Sequence, residues 1–506
     1  MKKKVADTGN FWLTVETPNN LSVLIGLIEL SSQLDLYTFR SIVENRLLPL
    51  DPLRERIVEN PDKKKSYYWI EDKDFDIRTH VQTVKIESPY DNKALQKLMS
   101  EIMSVPMDIS KPLWQFLLVE KYNDGCAIIF RSHQCLMDRV DLIKILKKLS
   151  DSSERTNKKT RPTFITPQKN RFSLLSEKVL EKTRTYVDMT QKTAATMLTS
   201  CLKPFTNPFY MIEKVRLGMG TAADKCSEVG RLVFMNEDSD TLLKNDIGSK
   251  KEFAWSRSFT IKKIESLARA TNSTVNVIYI SILTGAIKQY LKAQKNPIDY
   301  REIRAITPVD MRMSQGGYSG VIKFGLIPFD LPVHIEDPLL RITEVKRRIQ
   351  NLDLLPDAAS AFEFLANLGI STQTFSDKIA IPFSKKSSLL MTNTQGPEQA
   401  LSISGIPFEN IMFWLPRIGN IGLGTTILSY KKHVRLGIVC DSNQIPEPQV
   451  LINYFEQQLK RLLELIPTKK VSIKNKIPKI LEKEKSQEIE KPIAVDNLSG
   501  ELTTLG

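Results

Sequence analysis

Residues Met107 to Leu146 read MDISKPLWQFLLVEKYNDGCAIIFRSHQCLMDRVDLIKIL. Two apolar runs, Phe116 to Lys121 and Cys126 to Ser132, flank Tyr122-Asn-Asp-Gly125. Asn-Asp-Gly between apolar runs signals a hairpin, because Asn and Gly accept the positive φ that tight turns demand. The segment Val140 to Leu149 then carries apolar residues at helical spacing,. This strand, turn, strand, helix order places His133 just beyond a strand end and Asp138 at a helix start. Strand ends that feed helix starts are where α/β proteins expose reactive groups on a rigid frame.

Outward from this segment the alternation continues. Leu21 to Leu30 and Tyr67 to Ile70 read as strands and Asn92 to Met103 as a helix, completing a lobe over residues 1–150,. Residues 151–230 change character, with 14 basic against 8 acidic side chains, and read as a crossover linker carrying a basic helix near Ser173 to Leu202,. That helix could lie on an anionic membrane surface or pack on the second lobe. The second lobe spans 231–467. Its strongest element follows Ser273 and Thr274, either of which could cap a helix with a long apolar face from Val275 to Leu291,. Ile303 to Ile306, Val321 to Phe329, Leu389 to Thr392, Gly424 to Tyr430 and Arg435 to Val439 read as strands, and Gln449 to Ile466 as a closing amphipathic helix,. Residues 468–506 are rich in Lys, Glu, Ser and Thr and read as a disordered tail,.

The 506 residues are 41% hydrophobic and 26% charged, which excludes fibrous and wholly disordered classes,. A net charge of +14 favours anionic partners,. Five scattered cysteines without CxxC spacing argue for a reducing compartment and against a zinc ribbon,. No apolar stretch reaches the roughly 18 residues a membrane span needs, and the N-terminus lacks a secretory core, so an intracellular, cytoplasmic chain that meets a membrane from the side is expected. No nucleic-acid module is visible. Of four histidines, His433 and His334 read as exposed loop residues and His80 as a structural one.

Asp108, Ser110, Pro112, Leu113 and Trp114, followed by a strand leading into His133, resemble the N-terminal half of the wax ester synthase/diacylglycerol acyltransferase family. That family is a branch of the CoA-dependent acyltransferases and peptide condensation domains. FWLTVETP (Phe11 to Pro18), YYWIEDKDFDIRTHV (Tyr67 to Val81), STVNVIYISILTGAIKQYL (Ser273 to Leu291), IRAITPVDMR (Ile303 to Arg312), TNTQGP (Thr392 to Pro397) and TILSYKKHVRLGIVCD (Thr426 to Asp441) fall in the family's order, over roughly residues 11–466.

The resemblance implies an α/β fold of the α+β type, with two chloramphenicol-acetyltransferase-like lobes, mixed sheets and an active-site channel between them. It implies acyl-CoA as substrate rather than any cofactor, no metal, a long-chain alcohol or diacylglycerol as acceptor, and work at a membrane or lipid-droplet surface. Pro112, Leu113, Trp114, Asn276, Thr392, Asn393, Gly396 and Pro397 would line the channel. The family's HHxxxDG motif falls on His133, Gln134 and Asp138, with Arg139 in place of the glycine. The second motif histidine, which takes the hydroxyl proton in the family, is Gln134 here. An amide cannot hold that proton, so its loss costs on the order of 10² to 10⁴ in rate. The motif Asp is mainly structural in the family, and the family's Asn-Asp pair on the second-lobe helix is Asn276-Val277 here. Three readings stay open: an acyltransferase in which His133 or a water replaces the lost base, a catalytically weak or inactive relative that binds acyl-CoA or neutral lipid, and a basic nucleic-acid or protein scaffold.

Overall fold

The computed structural model describes residues 3–62, 66–137, 142–151, 235–310, 324–352 and 381–465. The basic helix expected near 173–202, the tail after 467, Asp138 and Arg139 lie outside the described residues.

In the first half, β1 (Val23–Leu30), β2 (Val81–Val84), β3 (Trp114–Tyr122) and β4 (Gly125–His133) are the strands of the main sheet. Every residue of β1 and β4 is buried. That explains why both read as continuous apolar runs, since strands covered on both faces have no solvent face to alternate with. The hairpin between β3 and β4 turns at Asn123, with φ of 49°. Gly125 is required there, because a Cβ would stand 2.1 Å from the Leu30 carbonyl oxygen. Gly125→Ala should therefore destabilise the protein by about 1–3 kcal/mol in urea unfolding, as overpacking does.

The later strands are β5 (Lys251–Trp255), β6 (Ile303–Asp310), β7 (Phe324–Leu331), β8 (Leu389–Gln395), β9 (Ser402–Ile403), β10 (Ile406–Trp414), β11 (Leu423–Tyr430) and β12 (His433–Asp441). They do not all join one sheet. The first sheet has the order β9-β10-β1-β4-β3-β2 and the second β7-β6-β8-β11-β12-β5, with the short strand Phe259–Thr260 also on β12. Both are mixed. β2 runs parallel to β3, β8 runs parallel to β6 and β11, and the remaining pairings are antiparallel. A division of the chain at residue 231 is thus crossed by β10, which leaves the second lobe and pairs with β1 from Trp414↔Ile25 to Phe408↔Leu30. IPFENIMFW carries Pro, Glu and Asn in its first half, and this masks its strand character in the sequence,.

The helices are α1 (Asp7–Val15), α2 (Leu36–Arg46), α3 (Asn92–Met103), α4 (Leu142–Leu149), α5 (Ile261–Ala270), α6 (Val275–Ala293), α7 (Pro338–Leu352) and α8 (Pro448–Leu465). Thr274 caps α6 by accepting the Val277 N–H at 3.3 Å,. α6 is buried on nearly every side because α5, α7 and α8 all pack against it. Two apolar clusters result. One lies between the second sheet and these helices. The other is the first-lobe core, and it takes in Phe253, Trp255, Leu428, Tyr430 and Val439 from the opposite face of the second sheet. The lobes are joined by continuous packing and by a nearly buried ion pair, in which Arg435 Nη1 stands 2.7 Å from Glu29 Oε1.

Candidate active site

His133 ends β4, and the next residues, Gln134–Met137, form a single helical turn packed against α1. The His133 N–H donates to the Leu113 carbonyl at 3.0 Å. Its ring is 2% exposed and fully engaged. Nδ1 accepts the Cys135 backbone N–H at 3.1 Å, and Nε2 faces Glu16 Oε2 at 3.1 Å. Glu16 closes α1, and the same oxygen accepts the Ser22 N–H at 2.7 Å. Burial opposes charge on the imidazole, the Cys135 thiol and the Glu16 carboxylate favour it, and the balance lies above the usual imidazole range. A second proton could sit only on Nδ1, where the Cys135 N–H already points. The hydrogen-bond geometry therefore commits Nδ1 as the acceptor of the Cys135 N–H and Nε2 as the donor to Glu16,. Neither nitrogen is left to take a proton from a substrate, which corrects the expectation of His133 as a replacement base.

Burial pushes the Glu16 carboxyl up, but the His133 and Ser22 hydrogen bonds and the Arg131 charge outweigh it, and its pKa falls below the usual value. A carboxylate whose pKa is lowered by folding adds stability that is complete above the unfolded value, about 4.3, and is lost as pH falls through the folded one. Glu16→Gln should cost about 1–3 kcal/mol near neutrality. In urea titrations the gap from wild type should shrink as pH drops below that range, and a gap that does not change with pH would contradict this.

Gln134 donates its backbone N–H to the Ser22 carbonyl at 2.8 Å. Its side chain is half-buried, and Oε1 is buried without a hydrogen-bond partner among the described residues. The motif position thus presents a free acceptor that is not a base.

The remaining expected channel residues divide. Pro112, Leu113 and Trp114 are core. Trp114 is 0% exposed, gives its indole N–H to the Leu53 carbonyl at 2.8 Å, and stacks on His80 at 4.6 Å. Bulk and apolarity suit a core as well as a channel, and burial decides for the core. Leu113 serves the motif through its carbonyl, which receives both the His133 N–H and the Ser132 hydroxyl. Thr392 donates to Thr426 Oγ1 at 2.9 Å, and these two lie on the face of β8 and β11 turned toward the first lobe. Asn393, one residue on, points to the opposite face and donates to Asn276 Oδ1 at the start of α6,. Gly396 donates its N–H to the Ser429 carbonyl at 2.8 Å, and a Cβ would stand 2.3 Å from that oxygen. Pro397 follows it, its carbonyl accepting the Lys431 N–H.

His80 is structural, as expected, with Nδ1 against the Trp114 carbonyl at 2.8 Å. His433 is exposed, whereas His334 is half-buried against the Arg301 carbonyl. A groove of about 1490 Å³ opens between α3, β5 and the start of α8, but no motif or expected channel residue lines it. Among the described residues, no group of three His, Cys, Asp or Glu could hold a metal ion, and no helix is long and apolar enough to cross a membrane. Glu16 and Ser22 are the site's neighbours that sequence reading missed. Glu16 lies within FWLTVETP, but nothing local marks it as the partner of a histidine 117 positions away.

Comparison with known proteins agrees with this architecture. Residues 11–279 match the model of the wax ester synthase/diacylglycerol acyltransferase catalytic domain, and residues 323–463 match the C-terminal domain of the same family. The chain is 22% identical over 425 residues to O-acyltransferase WSD of Acinetobacter baylyi, covering 82% of this chain and 86% of that one. It is likewise 22% identical over 451 residues to a probable diacylglycerol O-acyltransferase of Mycobacterium tuberculosis, covering 87% and 90%. The wax ester synthase/diacylglycerol acyltransferase structure from Marinobacter aquaeolei superimposes with a TM-score of 0.64 at 17% identity, covering 92% of this chain and all of that one. A trichothecene 15-O-acetyltransferase from Fusarium sporotrichioides gives 0.56 at 13%, covering 90% and 94%. With more than half its length matched by the catalytic-domain model and most of its second lobe by the C-terminal one, the chain belongs to the wax ester synthase/diacylglycerol acyltransferase family.

Proposed function

We propose that this protein is an O-acyltransferase that moves a fatty acyl group from acyl-CoA to the hydroxyl of a long-chain alcohol or diacylglycerol. The observation that carries the reading is the family match through both lobes, among relatives named for that activity. In the transfer the hydroxyl oxygen attacks the thioester carbonyl carbon, a C–O bond forms, the C–S bond breaks, and the hydroxyl proton ends on the leaving sulfur.

Gln134 Oε1 is suited to orient the hydroxyl by accepting its hydrogen bond, while the proton passes to water or to the departing thiolate. His133 acts on Gln134 through the backbone, held between Leu113, Cys135 and Glu16, and is a positioning residue. Asp138 we assign to holding the loop and not to chemistry. Catalysis then rests on positioning more than on base chemistry, and fixed geometry can supply a large share of a barrier. Acyl-CoA is a substrate, and the reaction calls on no cofactor. The acceptors are lipids, and the net charge of +14 suits an anionic membrane or lipid-droplet surface,.

The test is thiol release from a long-chain acyl-CoA with and without hexadecanol or diacylglycerol, with the neutral lipid separated by chromatography. Release that depends on the acceptor and matches the ester formed is expected. Release without acceptor dependence, or without ester, would reject the proposal.

A further inference from the structure

Residues 415–422 carry the chain from β10 in the first sheet back to β11 in the second, and Arg417 sits in this crossover. It is 2% exposed, yet Nε, Nη1 and Nη2 are all buried without a hydrogen-bond partner among the described residues. A buried guanidinium with five unanswered N–H donors is costly, and proteins seldom keep an unpaired buried charge without a use for it. Burial lowers its pKa to about 10, which still leaves it charged at neutral pH.

The surroundings place this charge in the interior between the lobes. The Arg417 stem runs over Gly424 of β11, with Cδ 3.3 Å from where a Cβ would stand, and Val439 Cγ1 lies 3.1 Å from the same point. Val439 belongs to the first-lobe core, so Arg417 occupies the sheet face turned toward that lobe, the face that also carries Thr392 and Thr426,. Of the nearby Lys251 and Asp441, the Asp441 carboxylate favours the Arg417 charge from a distance but takes no hydrogen bond from it. Lys251 Nζ spends its three donors on Asp441 Oδ2 at 2.5 Å, Asn19 O at 2.6 Å and Gly248 O at 2.7 Å. Asp441 Oδ1 in turn takes the Gly248 and Asn443 N–H groups. The pair is neutral together, and among the described residues no carboxylate hydrogen-bonds or ion-pairs with Arg417.

Arg417 also stands at the motif end of the first sheet. Val23 of β1 pairs with His133 on one side, and Ile25 pairs with Trp414 on the other. Gln134 binds the Ser22 carbonyl, and Asn20 Nδ2 donates to the Gly419 carbonyl at 2.8 Å. Gln134 and Arg417 thus follow the two strands that flank β1, at the end where β1 begins. One brings an unpartnered acceptor and the other unpartnered donors.

We infer that Arg417 is an oxyanion-binding residue of the acyl-transfer site, taking the negatively charged oxygen of the acyl group. In the reaction this is the thioester carbonyl oxygen as the hydroxyl attacks, and in a free fatty acid it is a carboxylate oxygen. The inference rests on the acyl-transfer reading. A planar guanidinium fits either oxygen arrangement, and donors preset toward developing charge stabilise a transition state more than a ground state.

The test uses the full chain and the variants Arg417→Met and Arg417→Lys, with calorimetric titration of palmitate and of hexadecanol, thermal unfolding, and transfer kinetics. Arg417→Met should unfold at a temperature at or above that of wild type, because it removes a buried charge and fills the same volume. It should bind palmitate at least tenfold more weakly, bind hexadecanol unchanged, and lose about 10² to 10³ in kcat with little change in the acceptor KM. Arg417→Lys should fall between. Lower stability of Arg417→Met with unchanged palmitate affinity would overturn the inference and make the residue structural, held by buried water. Should Arg417→Met fail to fold, palmitate affinity and kcat at wild-type levels in Arg417→Lys would overturn it equally. Arginine-dependent palmitate binding by a wild type that forms no ester would sink the proposed function and leave the oxyanion site standing. Ester formation indifferent to residue 417 would do the reverse.

Discussion

Gln134→His should raise the rate of ester formation by about 10² or more. The backbone at this position is fixed from both sides, by the Ser22 carbonyl and by the engaged His133 ring, so a new side chain starts from the same place. Gln134 Oε1 can accept a hydrogen bond from an attacking hydroxyl but cannot keep its proton, whereas an imidazole there can, and a positioned general base is worth about 10² to 10⁴. The variant should also gain a dependence on pH that wild type lacks, rising through the imidazole range near 6.5. An unchanged rate and a flat pH profile would mean that base chemistry does not limit this protein.

Arg435→Met should destabilise the protein by about 3–5 kcal/mol, read by urea unfolding. Arg435 Nη1 meets Glu29 Oε1 at 2.7 Å, and its Nε donates to the Ser256 carbonyl at 3.0 Å. Glu29 Oε2 also accepts from Asn410 on β10, so the carboxylate joins three strands from both halves of the chain. Without Arg435 that carboxylate is buried with hydrogen bonds but no countercharge. The double variant Glu29→Leu with Arg435→Met should recover much of the loss, since removing both charges removes the desolvation cost as well. A single variant as stable as wild type would show that the lobes are held by apolar packing alone.

The fold was legible wherever a strand or helix buries a face continuously. β1, β4, α3 and α6 lie within two or three residues of their expected bounds, because apolar runs, Asn-Asp-Gly and the Thr274 cap are local signals. β10 was not legible, since its partner β1 lies about 380 residues away and its polar first half does not alternate. The motif residues were found at the right strand end for the same local reason. Their roles were not, because they depend on contacts distant in sequence. Glu16 answers His133 across 117 positions, and Trp114 proves to be core through its contacts with His80 and Leu53. Arg417, a single arginine after Leu-Pro, looks like any loop residue until the two sheets close around it.

The central claim is that the joined lobes carry out acyl transfer with an amide where the family has a base. It is tested most directly by mass spectrometry of the neutral lipid formed by the wild-type full chain from isotopically labelled acyl-CoA and a long-chain alcohol or diacylglycerol. We expect slow formation of one ester carrying the acyl label, matched mole for mole by free CoA thiol. Absence of labelled ester with every acceptor, under conditions in which a relative with the complete motif turns over, would contradict it.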